Sequence, residues 1–185
     1  DEARAAIAPL ESRVANDADL RLAVAGQYEA LGDFSAAERV LAKGAQSTDT
    51  IGLRAAMLDK AKDDAGLARL YEFAKHRAGT DDSRNRLLLG TLAETLKRYD
   101  EALKWYAGVT GEQSDTARLR SANVRYEQGH KGEAYKDLQA LQTDPRVDGN
   151  VQRDAYLLEG ELRRKGKDDK GEIAVYDRGI AALQD

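Results

Sequence analysis

Apolar side chains recur along this chain at helical spacing, in stretches broken by short polar turns. The clearest stretch is Leu87 to Val109, LLLGTLAETLKRYDEALKWYAGV. Its apolar positions keep helical spacing to Leu96, and a polar turn covers Lys97 to Asp100. A second helical pattern then runs through Ala102, Leu103 and Tyr106 to Val109. Val24 to Gly44 and Ala122 to Leu141 have the same form. Each copy has a small residue midway in its first helix (Ala25, Gly90, Ala122) and an alanine early in its second (Ala37, Ala102, Ala134). A large apolar residue follows that alanine (Leu41, Tyr106, Leu138). Weaker copies surround Ala55 to Ala74 and Gly160 to Tyr176, the last with an extra residue in its turn.

The pattern predicts helices over 2–15, 18–31, 34–46, 50–62, 65–78, 83–97, 100–109, 114–128, 131–142, 150–165 and 170–183. Equivalent positions in the second helices, Ala37, Leu67, Ala102, Ala134 and Glu172, are separated by 30, 35, 32 and 38 residues. That spacing is typical of helix-turn-helix repeats. One such pair cannot bury its apolar stripe alone and must stack on the next. The expected architecture is therefore all-α, an α-α superhelix of about five helix pairs plus a leading half-repeat, one solenoid over residues 1–185. Residues 1 to 14 match only a second helix, and the sequence closes just after one, so a slice of a longer array is expected.

Local signals set several boundaries. Ser35-Ala36-Ala37-Glu38 has capping-box spacing. Asp82 and Ser83 can cap the helix that begins near Arg84. Gly32 and Gly129 are expected to end first helices in the left-handed conformation. Pro9 marks a helix start or kink. The small residue at Ala25, Gly90 or Ala122 lets the partner helix approach, and Tyr28, Tyr99 or Tyr106 fill space between pairs.

Composition agrees with this reading. The 185 residues are 42% hydrophobic and 34% charged, with only 2 prolines, fewer than the turns of an all-β chain would carry. The absence of cysteine excludes disulfides, a Cys zinc site and a thiol nucleophile. A net charge of -4 with mixed signs disfavours nucleic acid as a partner. No apolar run approaches a membrane span, so no membrane insertion by this segment is expected. The sequence opens at Asp1 without a leader, so any targeting segment or lipid-attachment cysteine is expected upstream.

The search for chemistry leaves little. His76 and His130 lie in different repeats and read as exposed surface residues. Asp63-Asp64, Asp81-Asp82 and Asp168-Asp169 sit in turns, where aspartate favours helix entry. Nothing has the clustering of a metal site or the glycines of a phosphate loop, so no cofactor, metal or catalytic residue is expected. Arg118-Leu119-Arg120 and Arg163-Arg164-Lys165 read as solvated faces, and Trp105, next to Tyr106, as packed inside the stack.

Leu89-Gly90, Tyr99-Asp100-Glu101-Ala102-Leu103 and Tyr106 resemble the tetratricopeptide-repeat family, as do Val24-Ala25, Tyr28, Gly32, Ala37 and Leu41. The resemblance covers essentially the whole chain. It implies a non-catalytic scaffold that binds a protein or peptide through the concave face formed by first helices. Carried onto this sequence, the family's contact positions are Arg84, Leu87, Thr91, Glu94 and Thr95 on one helix. On the next they are Thr116, Leu119, Arg120, Asn123, Tyr126 and Glu127, with Arg120, Asn123 and Tyr126 expected to act together. Leu22, Gly26, Glu29, Leu157, Glu161 and Arg164 extend the set.

A narrower resemblance rests on Val109-Thr110-Gly111-Glu112, on Ala117 to Ala122 and on Arg153 to Glu159. These are similar to bacterial outer-membrane tetratricopeptide lipoproteins, some of which deliver substrates to a periplasmic carboxyl-terminal processing protease. It implies a periplasmic adaptor tethered by an upstream lipid anchor. The alternatives are a repeat module of an exopolysaccharide export apparatus, for which Tyr126 would serve sugar stacking, and a cytoplasmic location.

Overall fold

A computed structural model describes residues 2–77 and 82–183. Among them every regular element is a helix. The α-helices are α1 (Glu2–Ile7), α2 (Ala18–Ala30), α3 (Phe34–Leu41), α4 (Thr48–Lys60), α5 (Asp64–Lys75), α6 (Ser83–Thr95), α7 (Tyr99–Ala107), α8 (Ser114–Glu127), α9 (Lys131–Thr143), α10 (Gly149–Lys165) and α11 (Asp169–Ala182). Short 3-10 turns lie at Ala8–Ser12 and Gly111–Gln113. The chain divides into two compact units, Asp1–Thr80 and Asp81–Asp185. In the first, α2 packs on α3, α3 on α4 and α4 on α5. In the second, each helix from α6 to α10 packs on its successor, and α8 also meets α10. Both units are built of the expected antiparallel helix pairs, with α1 and the turn after it as the leading half-repeat.

One turn closes all five pairs. A first helix ends, one residue adopts a left-handed conformation, and the next residue caps the second helix. The left-handed residues are Gly32, Lys62, Lys97, Gly129 and Lys167, with φ of 73°, 58°, 57°, 90° and 61°. The N–H of the residue after each reaches back to the helix it leaves: Asp33 to Tyr28 O, Asp63 to Leu58 O, Arg98 to Ala93 O, His130 to Arg125 O and Asp168 to Arg163 O, all at 2.8–2.9 Å. This six-to-one bond satisfies a carbonyl that the helix end would otherwise orphan. Glycine was expected here at two turns; the other three use lysine and bear the steric strain of a Cβ in that region. The last turn carries no extra residue: Gly166, Lys167 and Asp168 match Leu31, Gly32 and Asp33.

Asp33, Asp63 and Asp168 also cap through their side chains, accepting from Ala36 N at 3.1 Å, Gly66 N at 2.7 Å and Gly171 N at 3.0 Å. The capping reading of the aspartate pairs therefore holds for Asp63 and Asp168, and Asp82 accepts from Arg84 N at 3.1 Å; Asp81 lies outside the described residues. Asp33, rather than Ser35, caps α3. The N-terminal segment is not one helix over 2–15. Pro9 sits at the start of the 3-10 turn that ends α1, because it has no N–H to continue the ladder. Helix α3 stops at Leu41 instead of 46. Gly44 is left-handed (φ 80°), and the buried Arg21 donates to the carbonyls of Val14, Ala15 and Ala45 across that corner. The expected end of the fifth helix at 78 lies outside the described residues.

The small-residue positions do what their spacing implies. At Gly90 an added Cβ would run into the Tyr106 ring, and at Gly160 into the Tyr176 ring. The tyrosine of the second helix thus packs directly against the glycine of the first. Ala25 and Ala122 are likewise buried. Tyr28 and Tyr106 are buried between helices, whereas Tyr99 is only half-buried. Trp105 is half-buried rather than enclosed, and it lines a surface cavity of about 440 Å³ with Arg86, Glu101, Lys104 and Gly108.

Candidate partner-binding face

Helices α6 and α8 bring two of the expected contact residues, Arg120 and Asn123, onto the carboxylate of a third, Glu94. Glu94 accepts from Asn123 Nδ2 at 2.7 Å and from Arg120 Nη1 at 3.5 Å. It also accepts from the Tyr106 hydroxyl at 2.5 Å, a partner that sequence spacing did not single out because it comes from the second helix. Burial first, and then the Glu94 charge, push the Tyr106 phenol well above its ordinary range. The Glu94 side chain is 15% exposed and the Arg120 side chain 42%. The cluster is therefore anchored beneath and open above, a preorganised polar row with a guanidinium on the solvent side.

The neighbouring positions complete the face unevenly. Arg84 is exposed, and Leu87 and Thr91 are half-buried. The Thr91 hydroxyl donates to Leu87 O and that of Thr95 to Thr91 O, both at 2.9 Å, so these hydroxyls back-bond to their own helix. Glu127 is exposed and accepts from Lys165 Nζ at 2.5 Å, a bridge from α8 to α10. Leu157 and Glu161 of α10 are exposed as well. In the first unit, Glu29 plays the bridging part with Lys60 at 2.5 Å, and Leu22 is 47% exposed.

Tyr126 is not on this face. It is buried, and its hydroxyl donates to Leu162 O at 2.9 Å, from α8 to α10. The ammonium groups of Lys131 and Lys165 stand over its ring at 5.3 and 5.8 Å. The ring fills the seam between two pairs, as a large aromatic at an apolar register position will. The expected trio of Arg120, Asn123 and Tyr126 is corrected to Glu94, Arg120 and Asn123, with Tyr106 beneath.

Two further polar devices hold the pairs together. Arg86 in α6 donates to Gly108 O at 2.8 Å, the same register position from which Arg21 reaches Ala45 O in the first unit. The second is Glu159 of α10, fully buried. Its Oε1 accepts from Arg163 Nε at 2.9 Å and Gln139 Nε2 at 3.1 Å, and its Oε2 from Gln142 Nε2 at 2.8 Å and Arg178 Nη2 at 3.4 Å. Arg163 therefore belongs to a buried ion cluster, not to a solvated face. A carboxylate inside the apolar stripe of α10, with arginine one turn on, was the signal for it. Among the described residues no group of three or more His, Asp or Glu side chains could hold a metal ion, and no helix is long and apolar enough to cross a membrane.

The turn, the glycine–tyrosine crossings and the pair-on-pair stacking define the architecture. The fold is of the tetratricopeptide-repeat type. Solved structures that share it include BtubC and YrrB. BtubC (BKLC) from P. vanneervenii aligns with a TM-score of 0.63 at 15% identity over 98% of this chain and 85% of its own. YrrB, described as a TPR protein with an unusual peptide-binding site, aligns at 0.51 and 18% identity over 91% of this chain and 88% of its own. No protein-family model matches the sequence, and no curated protein matches it.

Proposed function

We propose that this chain is a non-catalytic scaffold that binds a partner protein or peptide through its first-helix face. The observation that carries the reading is the Glu94 cluster. Two neighbouring first helices share a carboxylate held by Tyr106, Asn123 and Arg120. Preorganised polar groups of this kind reduce the ordering cost of binding an extended segment. The peptide-binding site of the similarly folded YrrB supports the same class of ligand.

The finer proposal is an adaptor role, presenting substrates to a periplasmic carboxyl-terminal processing protease from an outer-membrane lipid anchor. It rests on the sequence resemblance at Val109 to Glu112, Ala117 to Ala122 and Arg153 to Glu159. The glycan-export alternative loses its aromatic platform, since Tyr126 is buried. The test is reconstitution with a purified protease of this class and its unfolded substrate. Adding the chain should accelerate substrate loss, and the double variant Arg120→Ala with Asn123→Ala should not. Equal acceleration by both would remove this face from the role, and no acceleration would remove the adaptor reading. Fractionation and lipid labelling of the full-length protein in its own cells test the location.

A further inference from the structure

The repeated turn fixes which residues are equivalent between pairs. Counted from the left-handed residues Gly129 and Lys167, α8 matches α10 and α9 matches α11 position for position; Lys97 and Gly129 relate α7 to α9 in the same way. On that register Ser121 corresponds to Glu159, Arg125 to Arg163, Ala107 to Gln139 and Ala140 to Arg178.

The seam of α9, α10 and α11 is filled by the Glu159 cluster of carboxylate, two guanidinium groups and two amides. In the seam of α3, α4 and α5 the Ser121 position is Arg54. Its guanidinium donates to Glu38 Oε1 at 2.8 Å and Gln46 Oε1 at 2.9 Å. Across the five first helices this position is Val24, Arg54, Leu89, Ser121 and Glu159, so two of the five place a charged, partnered side chain there. In the seam of α7, α8 and α9 the acid is reduced to serine, and the facing glutamine and arginine to alanines. The Ser121 hydroxyl only back-bonds to Ala117 O at 2.8 Å.

The space those groups would fill is open. A surface cavity of about 310 Å³ lies here, lined by Ala107, Arg118, Ser121, Arg125, Ala140 and one acid, Asp137, among others. The guanidinium of the register survives: Arg125 gives one nitrogen to Asp137 at 2.5 Å and carries further N–H donors. Arg118 lines the same cavity and gives one nitrogen to Asp115 at 2.8 Å.

We propose that this cavity binds a carboxylate group, in the place that the Glu159 side chain occupies one seam on. Arg125 is the principal partner, the Ser121 hydroxyl the second, and Arg118 supplies further positive charge. Asp115 and Asp137 already hold one nitrogen of each arginine, so the site favours a monoanion over a dianion such as phosphate. The carboxylate belongs either to an acidic side chain of a bound polypeptide or to a free organic acid. Tyr106 lines this cavity and also holds Glu94, but the proposal does not rest on the scaffold reading.

Amide chemical-shift titration of the whole chain tests it, with sodium glutarate and acetyl-Gly-Glu-Gly-amide as probes and inorganic phosphate as the control. Saturable shifts at Ala107, Ser121, Arg125 and Ala140 with either carboxylate support the site, and the probe that binds more tightly identifies the source. Arg125→Gln should weaken that binding by roughly tenfold or more, the loss expected of a hydrogen bond to a charged group. Ser121→Glu should abolish it by supplying the carboxylate from within. If that variant does not fold, Ala140→Leu, which fills the cavity with an apolar group, should abolish the shifts as well. No saturable shift with either probe, equal response to phosphate, or wild-type binding in the filled variants would overturn the proposal.

Discussion

The hydroxyl of Tyr106, on a second helix, donates at 2.5 Å to Glu94 on the first-helix face. The packing of the pair and the chemistry of its open face are therefore one unit. Glu94→Ala would leave a mostly buried phenol without its acceptor and release Asn123 and Arg120. The expected cost is about 1–3 kcal/mol, measured by urea unfolding. The Tyr106 phenol, raised by burial and then by Glu94, should titrate at lower pH in the variant yet stay above the ordinary tyrosine range. An unchanged titration would show that Glu94 does not act on Tyr106.

Gly90→Leu should overpack the crossing with Tyr106 and cost about 1–3 kcal/mol. Gly26→Ala is the comparison, because an added Cβ there meets nothing within 4 Å. Thermal unfolding that ranks the two variants in the opposite order would contradict the placement.

Lys62, Lys97 and Lys167 hold left-handed backbone without being glycine. Lys97→Gly should stabilise the second unit by up to about 1 kcal/mol, the relief of Cβ strain less the extra freedom of the unfolded chain. Gly129→Ala should destabilise it. A loss of stability in Lys97→Gly would mean that the lysine side chain contributes more than its backbone strain costs.

Glu11 anchors the leading half-repeat. It accepts from Tyr28 Oη at 2.7 Å, Lys43 Nζ at 3.0 Å and Arg39 Nη2 at 3.1 Å. The Tyr28 hydrogen bond first, and then Lys43 and Arg39, lower its pKa from 4.5 to about 2 against the opposing effect of burial. A depressed carboxylate contributes stability that is fully present above its unfolded value and lost as pH falls through its folded one. Hydrogen exchange in residues 8–14 should therefore accelerate as pH drops from 4.5 towards about 2, after correction for the intrinsic rate. Glu11→Gln should remove that pH dependence.

Glu159→Ala would take from Arg163 its buried carboxylate, leaving Asp168 at 2.8 Å as its remaining acid, and should cost about 1.5–3 kcal/mol, the range for hydrogen bonds to a charged group, read from denaturant midpoints. A loss below about 1 kcal/mol, as for an exposed pair, would show that the cluster is solvated.

The paired helices and their register were legible because apolar spacing and the turn repeat together. The second-helix markers Ala37, Leu67, Ala102, Ala134 and Glu172 step by the same intervals as the left-handed residues. Glu94, Arg120 and Asn123 were legible as a face, since helical spacing fixes which residues share one. Tyr126 misled because an aromatic on a first helix reads alike whether it meets a ligand or the next pair, and only the position of α10 decides. Lysine in a left-handed turn leaves no local signature, so at three turns that the polar spacing had placed, the left-handed residue was found only in the backbone. The Ser121 cavity could not be read from its own residues: serine and alanine are unremarkable until the register sets them beside Glu159, Gln139 and Arg178.

The turn within a pair is the same length in all five pairs, so the intervals between repeats differ only in helix length and in the connections from one pair to the next. A chain of this design can gain or lose residues at those joints while each hairpin keeps its own closure. Duplication, drift and insertion then change the spacing of the recognition helices without requiring any hairpin to fold anew.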